Sequence, residues 1–110
     1  MPYDEKLAER VRGVLGHHRG VTEKKMFGGL CFLVNGNMAC GVQKENLVVR
    51  VGHEHYERAL SKPGVRPMDF TGRALKGLVY VSPPGCRTTA SLKTWVELGA
   101  RFARSLPKKG

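Results

Sequence analysis

Two apolar runs on either side of an Asn-Gly pair dominate the hydrophobic pattern of this chain. The pair is Asn35-Gly36, and the flanking runs cover Leu30–Val34 and Asn37–Val42. An Asn-Gly pair favours a two-residue hairpin turn, because both residues must adopt positive φ, which Asn tolerates and Gly adopts readily. The pattern therefore predicts a β-hairpin whose strands are these two runs.

Three further segments have the composition of strands. Glu23–Phe27 precedes the hairpin, and Leu47–Val51, which is rich in β-branched residues, follows it. Leu75–Val81 must end before Pro83-Pro84, because proline has no N–H to donate to a ladder. We expect the intervening Val65–Ala74 to be irregular. Short polar turns join most of these segments, so the sequence predicts an antiparallel meander of four to five strands.

Helical periodicity occurs in three places. Asp4–Leu15 is amphipathic, and the Asp4 carboxylate is suited to accept hydrogen bonds from the first helical turn. Glu54–Ser61 predicts a shorter helix that ends before a Pro-Gly pair. Ala90–Leu106 places Trp95 and other apolar residues on one stripe. The chain is therefore predicted to have an α+β fold, in which an N-terminal, a short middle and a long C-terminal helix pack on an antiparallel sheet.

The charge of the chain is strongly positive and unevenly distributed. The chain has 110 residues, enough for a buried core, and we expect residues 1–110 to form a single domain. The formal net charge is +10, and residues 58–110 hold 11 basic and 2 acidic side chains. Such a field attracts acidic proteins, nucleic acids or anionic small molecules without selecting among them.

Six basic residues are the candidates for binding an anion or a partner: Arg50, Arg66, Arg73, Lys76, Arg101 and Arg104. Arg66 and Arg73 flank one short segment, where two guanidinium groups suit a single phosphate or carboxylate. Asp69 in the same segment is the alternative, internal partner for one of them. The leading interpretation is docking on an acidic protein or a regulatory complex. Weak, sequence-independent nucleic-acid binding, a small enzyme with an anion-binding pocket near Arg66 to Arg73, and a homodimer stay open.

The cysteines suggest a second hypothesis. Counting outward from a two-residue turn places Cys31 opposite Cys40 at a non-hydrogen-bonded pair, where the two strands lie closest. We expect the two thiols to touch, either as a redox pair or as two small buried apolar groups. Cys86, in a proline-rich loop, is expected to be exposed.

The common catalytic, cofactor-binding and metal-binding motifs do not occur in this sequence. The chain has no Gly-x-Ser-x-Gly elbow, phosphate-binding loop, dinucleotide fingerprint, Cys-x-x-Cys or His-Glu-x-x-His. We therefore predict no catalytic residue, no metal, no cofactor and no enzymatic activity. The amino-terminal residues lack a signal-peptide pattern, and no apolar run approaches the roughly 20 residues needed to cross a bilayer. We expect a cytoplasmic protein that does not bind a membrane.

Five short segments occur in a distinctive order and spacing. They are Met26-Phe27-Gly28-Gly29, Asn35-Gly36-Asn37-Met38, Leu47–Val51, Pro67-Met68-Asp69-Phe70 and the helix around Trp95. Over nearly its whole length the chain resembles the TfoX N-terminal domain family, whose members stand alone or precede a second domain in a bacterial regulator of competence for DNA uptake. The resemblance implies an α+β domain that takes part in transcriptional regulation through protein contacts rather than by reading bases directly. It implies no catalytic residues.

Overall fold

Six strands and three α-helices form the described part of a computed structural model of the chain. The structure describes residues 3–16, 18–26, 28–70 and 73–108, without the side chains of residues 70 and 73–75. The helices are α1 (Glu5–Leu15), α2 (Gly52–Leu60) and α3 (Thr89–Ser105), and a 3-10 helix covers Pro83–Cys86. The strands are β1 (Val21–Met26), β2 (Gly29–Val34), β3 (Asn37–Gln43), β4 (Asn46–Arg50), β5 (Val65–Phe70) and β6 (Arg73–Val81). The predicted α+β fold is confirmed, with one strand more than expected; Phe27, at the end of the first predicted strand, lies outside the described residues.

The helix predictions agree closely with the structure. The Asp4 carboxylate caps α1, because its Oδ1 accepts from the amides of Lys6 at 2.9 Å and Leu7 at 3.2 Å. α2 begins at Gly52, two residues before the predicted start. α3 begins after Thr88, whose side chain accepts from the Ser91 amide. Within the described ranges, none of the helices has the length and apolar composition needed to span a bilayer.

The order of strands in the sheet is β1-β2-β3-β4-β6-β5, and every neighbouring pair is antiparallel. β5 therefore lies outside β6, at the edge of the sheet, instead of continuing the meander. The expectation that Val65–Ala74 is irregular is wrong, because Pro67 lies in this edge strand. The Ser82 amide, just after β6, donates to the Gly64 carbonyl, so the backbone polar groups of Gly64 point toward β6. Because these groups alternate in direction along a strand, the Pro67 nitrogen points to the outer edge of the sheet, where its missing N–H costs no ladder hydrogen bond.

A β-bulge in the central hairpin changes the predicted register. Asn35 and Gly36 adopt φ of 54° and 82°, as the turn requires, and the first two cross-strand pairs match the prediction. The register then shifts, so that Cys40 pairs with Phe32 and Cys31 pairs with Gly41. The predicted Cys31–Cys40 contact is wrong, because one extra residue in β3 places the two side chains on opposite faces of the sheet.

The main core lies between the sheet and the three helices, and α2 contributes Tyr56 and Ala59 to it. Its largest fully buried side chains from these layers include Phe32, Leu15, Leu47, Leu92 and Val11. The opposite face of the sheet has a smaller cluster made of strand residues: Cys31, Met38, Val48, Met68 and Tyr80. Side chains of both edge strands, Met26 of β1 and Met68 of β5, line one void of about 10 Å³ in this cluster. Long side chains from both edge strands therefore cover this cluster.

Candidate functional site

An open trough runs between α2 and α3 on the helical side of the sheet. It consists of two adjoining cavities of about 540 and 250 Å³, and Leu98 of α3 lines both. The larger is lined by Lys62, Pro63, Gly64, Pro84, Gly85, Ser91, Thr94, Trp95 and Leu98. The smaller is lined by Val51, Glu54, His55, Leu98, Arg101, Phe102 and Ser105. The larger cavity has the volume typical of ligand-binding sites, and the smaller one adjoins it.

Helical spacing in α3 supplies the apolar floor of the trough. Trp95, Leu98 and Phe102 are separated by three and four residues, so they lie on one stripe along the helix. A second stripe, rotated around the same helix, packs on the sheet and includes Leu92 and Val96. Trp95 is buried, whereas Leu98 and Phe102 are only half-buried. α3 therefore has apolar surface left over after the core is formed, and this surface faces the trough.

Two proline-containing loops form the wall opposite the first half of α3. One holds Pro63 and Gly64 after α2, and the other is the 3-10 helix with Pro84. The loops are joined, because the Ser82 amide donates to the Gly64 carbonyl at 2.8 Å. Since proline fixes φ and the loops brace each other, this wall is preorganised.

Basic side chains surround the trough. Lys62 and Arg101 line it directly, and the exposed Arg58 lies one helical turn beyond His55 on α2. The Arg50 guanidinium lies over the Phe102 ring, 5.3 Å from its centroid. Among the described side chains, the ion pairs join Arg12 to Glu9 and Glu23. In that part of the chain the basic groups around the trough thus form no ion pair with a carboxylate.

The structure distributes the six predicted basic residues over separate places. Arg50 lies over the ring of Phe102, which lines one end of the trough, and Arg101 lines the same end. Lys76 is exposed on β6. Arg104 points away from the trough, where its Nη2 donates to the Arg19 carbonyl at 3.1 Å. The remaining two lie on β5 and β6.

Arg66 packs on the aromatic ring of Tyr80. Its guanidinium carbon is 4.9 Å from the ring centroid, and its Nη1 donates to the Ser82 hydroxyl at 3.5 Å. Burial raises the pKa of the Tyr80 hydroxyl, the Asp69 carboxylate raises it further, and Arg66 opposes both. The side chain of Arg73 lies outside the described residues, as do residues 71 and 72. An anion-binding pocket near Arg66 to Arg73 therefore stays a prediction.

A polar network that no local sequence pattern indicates fixes the loop after α1 against α3. His18 Nε2 and Glu97 Oε1 are 2.6 Å apart. Arg104 Nη2 lies 3.1 Å from His18 Nδ1, so Nδ1 accepts while Nε2 donates to Glu97. The partners are 79 and 86 residues apart in sequence, which is why no local pattern indicates them.

All three cysteines are free and buried. The expectation that Cys86 is exposed is wrong: the 3-10 helix turns its side chain inward, and its exposed fraction is 2%. Burial raises the pKa of the Cys31, Cys40 and Cys86 thiols, and Arg10 opposes this at Cys86. A raised thiol pKa lowers the thiolate fraction and with it the reactivity. The redox pair of Cys31 and Cys40 stays a prediction without the close contact on which it depended.

Comparison with known proteins identifies the family. No curated protein and no solved structure matches the chain. The family model of the TfoX N-terminal domain matches residues 14–103 of the 110-residue chain. The matched span covers all six strands, α2 and most of α3, and hence nearly the entire lining of the trough. The chain therefore belongs to the TfoX N-terminal domain family.

Proposed function

We propose that this chain is a non-enzymatic interaction domain that acts in transcriptional regulation by docking on an acidic protein partner. The observation that carries the proposal is the apolar trough with unneutralised basic side chains around it. Protein interfaces combine a desolvated apolar centre, in which Trp and Arg are enriched, with a polar rim. Kinship with the N-terminal domain of a competence regulator supports a regulatory setting for this contact.

The charge distribution supports an acidic partner. The walls of the trough lie largely within residues 58–110, the part of the chain with 11 basic and 2 acidic side chains. A field of this sign accelerates encounter with an acidic surface and weakens as salt increases. Electrostatic attraction then raises the association rate and favours acidic partners, while apolar contacts with Trp95 and Leu98 on the floor of the trough provide affinity.

Direct, sequence-independent nucleic-acid binding is the second candidate. Arg66 and Lys76 favour it, because both are exposed on the last two strands, away from the trough floor. Nucleic-acid binding of this kind loses affinity linearly in a plot of log affinity against log salt. It would also be sensitive to Arg66→Glu with Lys76→Glu rather than to changes in the trough.

A capture experiment in the source cell separates the two candidates. Tagged full-length chain would be compared with Arg58→Glu/Arg101→Glu, with Arg66→Glu/Lys76→Glu, and with a matched control, Lys24→Glu/Lys25→Glu, on the exposed edge of β1. We expect an acidic protein to be captured by the wild type and the control and to be lost from Arg58→Glu/Arg101→Glu. Fluorescence anisotropy with a duplex DNA and a single-stranded RNA, at several salt concentrations, tests the second candidate. Capture that survives the trough variant, together with salt-dependent binding of either nucleic acid, would contradict the proposed function.

A further inference from the structure

We infer that the trough binds one amphipathic α-helix of the partner, with apolar side chains on its inner face and acidic side chains along its flanks. The inference rests on the proposed function and specifies the segment that is recognised. Three properties of the trough lead to it: the spacing of its floor, the hydrogen-bonding capacity of its walls and the charge around it.

The floor has the dimensions and spacing of a helix-binding groove. The α3 residues that line it run from Ser91 to Ser105, which corresponds to about 21 Å of helix axis. Trp95, Leu98 and Phe102 follow one another at the spacing of one helix face. A partner helix of about 10 to 14 residues has the matching length, and its own i, i+3 or i+4, and i+7 side chains fit such a stripe.

The walls favour a helix over an extended peptide. Within α2 and α3 the backbone groups are used in the helices' own hydrogen bonds, and Pro63 and Pro84 of the loop wall have no N–H. An extended peptide in the trough would leave its backbone donors and acceptors poorly paired, which is costly when they are buried. A helix satisfies these groups internally and presents only side chains to the walls.

The charge around the trough selects acidic flanks. Arg58 and Lys62 lie on the α2 side, and Arg101 and Arg50 lie on the α3 side. Glu54 is the carboxylate that lines the trough. Aspartate or glutamate residues beside the apolar stripe of a bound helix would meet these basic groups at the edge of the groove, where the charges stay partly hydrated.

Trp95 makes the test direct. It is the single tryptophan of the chain and lines the trough, so its fluorescence reports on occupancy there. Random 16-residue peptides without tryptophan would be selected by display against the full chain, and the enriched peptides would be synthesised and titrated. We expect enriched peptides that carry apolar residues at helical spacing with Asp or Glu between them. They should change the Trp95 emission and gain helical circular dichroism on binding.

Variants locate the binding. Leu98→Asp should weaken the selected peptides at least tenfold, and Arg58→Glu/Arg101→Glu should weaken them by a similar factor. Leu98 is half-buried, so Leu98→Asp also changes the packing of α3; Thr94→Tyr therefore supplies a second test, at an exposed position that lines the larger cavity. Lys24→Glu/Lys25→Glu should leave affinity within twofold. Thermal unfolding of every variant checks that the fold is intact.

The inference would be overturned by no enrichment, by enrichment of basic or unpatterned peptides, or by affinity that survives both Leu98→Asp and Thr94→Tyr. A 20-base-pair duplex that changes Trp95 emission at lower concentration than any selected peptide would also overturn it, in favour of nucleic acid.

Failure of the inference is distinguishable from failure of the proposed function. If no peptide binds the trough but an acidic protein is still captured through another surface, only the helix-binding inference fails; if peptides bind as expected and no cellular protein is captured, the proposed regulatory role fails.

Discussion

Gly99 of α3 lies directly over the backbone carbonyl of Ala39 in β3. A β-carbon at Gly99 would be 2.2 Å from that oxygen, which is far below any normal contact distance. Ala39 is the extra residue of the β-bulge, so the bulge and the glycine together let the helix approach the sheet this closely. The close approach sets the depth at which Trp95, four residues earlier in α3, sits beside the trough.

Gly99→Ala should therefore destabilise the protein. We expect a loss of about 2 to 3 kcal/mol in the free energy of unfolding, because the helix must move away from the sheet to accommodate the methyl group. Urea denaturation followed by circular dichroism measures the change. Gly13→Ala is the matched control: it also lies in a helix, but nothing lies within 4 Å of its added β-carbon. It should stabilise by about 0.5 to 1 kcal/mol, and equal effects of the two substitutions would refute the close contact.

Asp4→Ala should cost about 1 kcal/mol of stability, because two amides at the start of α1 lose their acceptor. The Asp4 amide still donates to the Lys44 carbonyl at 2.7 Å, so the attachment of this end of the chain to the sheet is unchanged. Asp4→Asn keeps a capping oxygen and should lie within a few tenths of a kcal/mol of the wild type. Chemical denaturation of the three proteins compares them, and a loss in Asp4→Asn equal to that in Asp4→Ala would count against capping.

The ion pair between α1 and β1 predicts a small loss of stability in acid. The hydrogen bonds from Arg12, at 2.7 and 2.9 Å, hold the pKa of the Glu23 carboxyl below its usual range. A lowered pKa in the folded state means that the stabilisation is present at neutral pH and is lost as the pH falls below about 4.3 through the folded-state value. The pair is partly exposed, so we expect only about 0.2 to 1 kcal/mol.

Glu23→Gln isolates this contribution. Between pH 6 and pH 3 the wild type should lose more stability than Glu23→Gln, and the difference between the two should vanish in an Arg12→Ala background. Unfolding curves at several pH values provide the measurement. Parallel pH profiles of the wild type and Glu23→Gln would show that the pair contributes nothing.

The three thiols should behave as buried, unreactive groups. Burial raises their pKa values, and the bulge separates Cys31 and Cys40 onto opposite faces of the sheet. Under mild oxidation we expect mass spectrometry to find three free thiols per chain. Alkylation should be slow in the native protein and fast in urea. A Cys31–Cys40 disulfide formed without unfolding would show that the sheet opens there.

The sequence predicted those features that local chemistry determines. The Asn35-Gly36 turn and the Asp4 cap depend on residues adjacent in the chain, and both are found in the structure as expected. The bulge is not indicated by any local pattern, and its extra residue, Ala39, lies against Gly99 of α3, which is distant in sequence. The pattern does not indicate β5, since a proline within a run argues against a central strand, and only the strand order shows that Pro67 lies at an edge.

The trough is not among the sequence predictions, although α3 contains a signal that indicates it. The apolar residues of α3 spread over a wide part of the helix surface: Trp95 and Phe102 lie on one stripe, and Leu92 and Val96 lie on a neighbouring stripe. That excess width was a usable signal. What the pattern does not contain is the position of α2 and of the two proline loops, which decides whether this extra surface is covered or left open.

The outward-facing nitrogen of Pro67 also bears on how copies of the chain meet at high concentration. An open sheet risks recruiting further strands into an aggregate, and proline leaves a gap in the row of donors at one border. At the other border, neighbouring exposed lysines of β1 repel their counterparts on an incoming copy. The protein can thus keep an uncovered apolar channel for its partner while both margins of its sheet resist fibril growth.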